Sequence, residues 1–221
     1  MSIEYMMSLM ADSATVLLAP GRGQYDRRQP REARLLEQRA RILSATALAL
    51  AADATATVGA VVKLAGVSRN TFYEYFDDLE HARDGAERRA EQRVVQALRA
   101  AEQQTRTPVE RWRALAHAWL AWAVAAPAEA RLILRESGAG LSAAGRSLEA
   151  GFARSLATLR ASGVGGAEQD ALRITAVAAA GEAFARRLAA RPPAEVEGAR
   201  GAREQERVER ALVDVAIRLL R

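Results

Sequence analysis

Glycine and proline divide this chain into segments whose apolar residues recur every three or four positions, a spacing that fits helix and not strand. From Glu32 to Ala52, the residues Leu35, Leu36, Arg39, Ile42, Leu43, Thr46 and Leu50 define one amphipathic face. Pro108 sits where a first helical turn tolerates proline and opens a helix to about Ala126; Pro127 begins the next, which ends at Gly138 or Gly140. A further helix from about Ser142 to Ala161 carries Leu148, Phe152, Leu156 and Leu159, and stops at Gly163-Val164-Gly165-Gly166. Residues 167–191 form a long helix halted by Pro192-Pro193, and a last helix aligns Val208, Leu212, Val215 and Leu219. The apolar half of the chain leans on alanine, aromatics reach only 5%, and β-branched runs are few. That composition reinforces helix, so the expected fold class is all-α.

The 221 residues suffice for one or two domains with a real core. With no cysteine there is no disulfide, thiolate nucleophile or cysteine-ligated metal, and two isolated histidines, His81 and His117, do not make a zinc site. No metal and no cofactor are expected. The longest apolar stretch, Ala118 to Ala128, is too short to span a membrane, and the first twenty residues lack the basic start of a secretory leader. The cytoplasm is the expected location, with no membrane partner. A net charge of +5 favours an anionic partner. Between Arg22 and Arg41 seven arginines face only Asp26, Glu32 and Glu37, immediately ahead of the most informative segment.

In that segment Thr57 caps a short helix, Val58 to Leu64, and Ser68 caps a second, Arg69 to Phe76. Ala65-Gly66-Val67 lies between them, with Gly66 free to take a positive φ. Two short helices joined by a glycine-containing turn make a helix-turn-helix. Val58, Val61, Val62 and Ala65 form an inner face, while Phe72 and Phe76 point inward from the second helix. Arg69, Asn70, Thr71, Tyr73 and Tyr75 remain outward, types suited to phosphate oxygens and base edges. Asp77 or Asp78 caps the helix that follows, and Asp77 with Glu80 has the spacing of a capping box.

The run from Thr57 to Phe76, with its Ala-Gly-Val-Ser turn, its Thr-Phe-Tyr triplet and Phe76 three residues beyond Tyr73, resembles the signature of the TetR family of bacterial transcriptional regulators. The resemblance covers residues 39–82 in sequence and continues beyond them only in architectural plan. It implies an N-terminal three-helix DNA-binding domain over 31–82; residues 1–30, ending in Pro20-Gly21-Arg22-Gly23 and Pro30, read by themselves as a flexible arm ahead of it. A helical ligand-binding and dimerisation domain over 83–221 would follow. Its implied DNA contacts are Thr57, Ser68, Arg69, Asn70, Thr71, Tyr73 and Tyr75, with double-stranded operator DNA as partner. Tyr75 stands where the family usually has histidine, and Leu79 where it commonly has a phosphate-binding lysine. Affinity then draws on backbone amides, the arginine-rich arm or Arg83. Glu74, Asp77 and Asp78 repel phosphate, so only the start of the second helix is expected to enter the groove.

For the C-terminal half the resemblance implies an unknown small-molecule effector and a homodimer. Trp112, Leu115, Trp119 and Trp122 recur along one helix; they fill an alanine-rich core first, and second are candidates to line an apolar pocket. His117, Arg135 and Glu136 are the polar candidates for orienting a ligand. Ala176, Ala179 and Ala183, with Gly181 nearby, leave room for a second helix, and the Val208–Leu219 seam suits packing across a bundle. The reading is a regulator, expected to be a repressor and not an enzyme. The rivals are an effector-independent activator or architectural DNA-binding protein and, more distantly, an acid–base catalyst using Glu136 with His117.

Overall fold

The computed structural model describes residues 31–135, 140–160, 167–191 and 199–219. Every element among them is helical: α1 Arg31–Ala52, α2 Val58–Ala65, α3 Arg69–Tyr73, α4 Leu79–Gln103, α5 Pro108–Ala125, α6 Pro127–Ile133, α7 Ala143–Arg160, α8 Ala167–Ala189 and α9 Ala199–Leu219. The chain divides into two compact units that part at Arg89 and Ala90, within α4.

In the first unit α1 packs on α2 and α2 on α3. Ile42, Leu43, Leu50, Val61, Phe72 and Phe76 are buried together with Thr46, whose hydroxyl donates to the Ile42 carbonyl at 2.9 Å. The apolar face of α1 is shorter than its sequence period suggests. Leu35 and Leu36 stay exposed, Leu36 to 70%, because the described packing on α1 begins only near Ile42. Gly85 of α4 lies so close to α1 that a Cβ there would come within 2.9 Å of Leu43 Cδ2 and 3.4 Å of Phe76 Cε1. Arg89, one turn on, donates to the Ala40 carbonyl at 3.1 Å and Ser44 Oγ at 2.6 Å, holding the same two helices. Asp78, not Asp77, caps α4: its Oδ1 accepts from the His81 backbone N–H at 2.7 Å, whereas the Asp77 carboxylate lies beside the His81 ring. The Asp77–Glu80 capping box is therefore not the one used.

In the second unit α5 is the central element, packed by α6, α7, α8 and α9. Thr107 and Glu110 form a reciprocal capping box at its start, which the proline at position 108 had marked only in part. The Thr107 and Arg106 N–H groups that Glu110 accepts hold its carboxyl below the usual range. At Gly181 α8 lies close to its neighbours: a Cβ there would meet Leu148 at 3.0 Å and Leu212 at 3.6 Å, and its carbonyl accepts from Trp119 Nε1 at 2.9 Å. Gly181 thus serves the inner face of α8, and Leu212 is buried against it instead of lying on a free seam. Ala176, Ala179 and Ala183 are exposed on the outer face, with Leu172. Leu219 lies among the residues whose side chains are not described.

The start of α7 is fixed by a buried carboxylate. Glu182 Oε2 accepts from Ser142 N and Oγ, both at 3.1 Å, and Ser142 Oγ accepts from Gly145 N at 2.9 Å. A Cβ on Gly145 would fall 2.1 Å from Glu182 Oε2. Gly145→Ala should therefore expel the carboxylate from its site and destabilise this unit by about 2 kcal/mol or more, the scale of lost hydrogen bonds to a buried charge. The three tryptophans all lie in this unit, so tryptophan fluorescence during urea unfolding reads the effect directly.

Candidate nucleic-acid interface

The candidate interface is built by two N-caps and one left-handed glycine. Thr57, with φ −109° and ψ 163°, accepts through Oγ1 from Ala60 N at 3.4 Å and opens α2. Gly66 ends it with φ 64° and ψ 37°, a conformation that a β-carbon resists, and the N–H groups of Gly66 and Val67 both return to the Val62 carbonyl. Ser68 then accepts from Thr71 N at 3.0 Å, and its Oγ lies 2.9 Å from Thr71 Oγ1. Only three residues, Gly66 to Ser68, separate α2 from α3.

α3 is only five residues long, so its roll depends on its anchors. Phe72 and Phe76 are buried with ring centroids 5.6 Å apart, and the Arg39 guanidinium lies 5.5 Å from the Phe76 centroid. With those two rings inside, Ser68, Arg69, Asn70 and Tyr73 are exposed and Thr71 is half-buried. Tyr73 stands edge-on to Phe72 at 5.4 Å while remaining 53% exposed, so its ring is braced and its hydroxyl is outward. Thr57 and Arg69 converge: a Cβ built on Gly59 would lie 3.4 Å from Thr57 Oγ1 and 3.5 Å from Arg69 Nη2. Thr57 and the Ser68–Tyr73 segment therefore supply hydroxyl, amide and guanidinium groups from two adjacent helix starts.

Tyr75 is placed differently from its neighbours. Its hydroxyl donates to Gln38 Oε1 at 3.1 Å, which ties the end of the motif to α1, and burial followed by the Glu74 charge pushes its pKa up. The proton is committed to Gln38, leaving only lone pairs for another partner. Arg83 is also engaged, with Nη1 3.1 Å from Glu80 Oε2 and Nε 3.4 Å from Glu87 Oε1, so it is not a spare cation to stand in for a lysine at position 79. Lys63 and Arg69 are exposed, as are Glu74, Asp77 and Asp78.

The ligand candidates of the second unit are arranged by packing. Trp119 and Trp122 are fully buried with centroids 5.5 Å apart, and Trp112 packs edge-on against Phe152 at 5.8 Å. Trp119 Nε1 is satisfied by Gly181, whereas Nε1 of Trp112 and of Trp122 is buried without an acceptor among the described residues. His117 Nδ1 lies 2.8 Å from Glu209 Oε2, joining α5 to α9. Arg135 is half-buried just beyond α6, and Glu136 lies outside the described residues. Glu129, paired with Arg93, is a buried carboxylate that the sequence did not single out, and its Oε2 has no donor among the described residues. No group of three or more metal-ligating side chains and no helix long and apolar enough to cross a membrane occur among the described residues.

No family model and no curated relative matches the chain. Solved structures do. A TetR-like transcriptional regulator from a Rhodococcus species superposes with a TM-score of 0.61 at 20% identity, covering 86% of this chain and 97% of that one. A TetR-family transcriptional regulator from Pectobacterium atrosepticum gives 0.57 at 18% identity, over 87% and 98%. The fatty acid degradation regulator FadR of Bacillus halodurans gives 0.57 at 16% identity, over 80% and 97%. The chain has the all-α fold of TetR-like transcriptional regulators.

The His117–Glu209 contact carries a pH signature. The hydrogen bond to Glu209, aided by its charge and opposed by burial, raises the His117 pKa above 6.5. A raised folded-state value means stabilisation that is fully present below the unfolded value and lost as pH rises through the folded one. Replacing His117 with Gln should lower stability more near pH 5.5 than near pH 9, on either side of the ordinary histidine range of about 6.5. Urea unfolding at the two pH values measures the difference; an equal loss at both would refute it.

Proposed function

We propose that this chain is a DNA-binding transcriptional regulator of the cytoplasm, a homodimeric repressor that a small-molecule effector releases from a palindromic operator. The observation that carries the reading is the roll of α3. Phe72 and Phe76 are buried, while Ser68, Arg69, Asn70 and Tyr73 stand outward directly after a left-handed glycine turn. Arg69 and Asn70 are the candidates for base edges, Arg for guanine and Asn for adenine. Thr57, Ser68, Thr71 and Tyr73 would position the phosphate backbone. Tyr75 would offer only an acceptor, since its hydroxyl hydrogen is donated to Gln38.

The dimer reading is supported by the outer face of α8, where Ala176, Ala179 and Ala183 are exposed beside Leu172, and by Val215 on α9. A two-fold dimer would read half-sites centred roughly 34–36 Å, or a multiple, apart. Effector contact falls to Trp112, Trp119, Trp122, His117 and Arg135. The two indole N–H groups without acceptors support it, since a buried unpaired donor costs about 1–3 kcal/mol that a ligand acceptor would recover. α4 contributes residues to both units and is the element through which an effector would act on the operator. The effector must favour one of two states to do so. The complete burial of Trp119 and Trp122 favours a second reading, an effector-independent DNA-binding protein with a solid C-terminal unit.

Selection of bound sequences from random duplex DNA tests the reading. Native protein should enrich a palindrome. Arg69→Ala should relax preference at defined bases by about 1–3 kcal/mol, and Tyr73→Ala should weaken binding nearly uniformly across sequences. No enriched sequence at low salt would refute DNA recognition by this motif.

A further inference from the structure

We propose that a cleft between α8 and the segment entering α7 binds a small carboxylate that also carries a hydrogen-bond donor, an ammonium or a hydroxyl group. The cleft encloses about 200 Å³ and is lined by Gly140, Leu141, Thr175, Ala179, Glu182 and Arg186. The last four are spaced by four, three and four residues, so they form one stripe along α8. None of the tryptophans or other sequence-derived ligand candidates belongs to it.

Two charged groups meet in this cleft without satisfying each other. Glu182 is only 3% exposed, and its Oε2 is occupied by Ser142 N and Oγ at the N-terminus of α7. Its Oε1 receives no donor among the described residues. Arg186 follows one turn later and has neither an ion pair nor a hydrogen bond among the described residues, although the four-residue spacing from Glu182 would allow one. The positive end of α7 and the Ser142 donors already offset part of the Glu182 charge, so the carboxylate does not need the guanidinium. An acceptor without a donor and a donor array without an acceptor therefore face one cavity about a helical turn apart.

A molecule that complements both must present a carboxylate to the Arg186 fork and a donor to Glu182 Oε1. A bare anion fills one role only and meets the Glu182 charge, with Glu149 nearby, where it accepts from the Thr175 hydroxyl. An apolar ligand fills neither. The volume equals roughly seven water molecules at about 30 Å³ each, which suits a molecule of about that many non-hydrogen atoms. Small amino acids and 2-hydroxy acids have this size and both groups.

L-serine and L-lactate are the probes, with acetate, which has the carboxylate and no donor, and ethanolamine, which has donors and no carboxylate, as controls, and thermal unfolding of the full chain as readout. Serine or lactate should raise Tm saturably, while each control needs at least about tenfold more ligand for the same shift. Arg186→Ala should weaken the active probe by about tenfold or more, the scale of a charge-assisted hydrogen bond. Glu182→Gln keeps an acceptor for Ser142 but turns the free oxygen into a donor, and should weaken serine likewise, because its ammonium cannot accept. The proposal is overturned if neither probe shifts Tm, if acetate matches serine and lactate, or if the shift survives Arg186→Ala. It also fails if Arg186→Ala instead lowers the assembled mass in size-exclusion chromatography and leaves the probe response intact, since the cleft then belongs to a subunit contact. Binding here does not rest on the regulatory reading; only a role as effector does. Operator retention measured on the same samples separates them, because lost DNA recognition with retained probe binding refutes the former alone.

Discussion

The burial of Phe72 and Phe76 is the constraint on which the first unit depends. A five-residue helix has no length with which to define its own orientation, and isolated helices that short are unstable in water. Two rings four positions apart, packed at 5.6 Å and covered by Arg39, supply that orientation. Once both are inside, helical geometry leaves Arg69, Asn70 and Tyr73 no other direction than solvent. The Gly66 turn and the Ser68 cap then fix where the helix starts, which sets how far its first residues project. The exposed polar groups are thus a consequence of the core beneath them. Replacing an anchor would disturb the outward surface without touching any of its residues.

The second unit solves a different problem, because an alanine-rich chain has little bulk with which to fill space. Three tryptophans on α5 provide it, and Gly181 lets α7, α8 and α9 close around them. Large side chains on one helix are matched by a missing side chain on another. Trp119 shows how tight the match is, since its N–H reaches a helical carbonyl at the one place where no Cβ intervenes. Trp112 and Trp122 lack that compensation among the described residues, and their indole N–H groups are buried without an acceptor there.

What was legible in the sequence was what depends on local chemistry. The caps at Thr57 and Ser68, the positive φ at Gly66 and the start of α5 at Pro108 need only neighbouring residues, and each stands where its residue type put it. Features that depend on approach between helices were not legible. Gly85 and Gly145 are ordinary helix positions until Leu43 and Glu182 are known to press on them. Sequence spacing puts Gly181 near the alanines that leave room for a second helix, but cannot tell that the residues it admits are Leu148 and Leu212 of other helices. The periodicity of α1 could not tell that Leu35 and Leu36 precede the packed region. Asp77 and Asp78 have equal claims to the cap by residue type, and only backbone geometry chose the second. The cleft at Glu182 and Arg186 was invisible for the same reason: its chemistry arises where α8 meets the start of α7.

Charge argues for how the first unit would hold DNA on the reading proposed above. Arg83 is neutralised by Glu80 and Glu87, and Leu79 brings no charge. Glu74, Asp77 and Asp78 stand exposed beyond Tyr73 and oppose phosphate. Non-specific affinity grows with the number of phosphates neutralised, and α2 and α3 bring to it only Lys63 and Arg69, which leaves the larger share to the arginines that precede Ile42 in the sequence. Apart from Lys63, the contacts that α2 and α3 offer are hydroxyls, an amide, one guanidinium and the N–H groups at two helix starts, groups that are directional. Such groups reward correct register and give little for mere proximity. An interface of this kind sacrifices general attraction and retains discrimination, which places the burden of specificity on Arg69 and Asn70 and the burden of alignment on the rings that hold them outward.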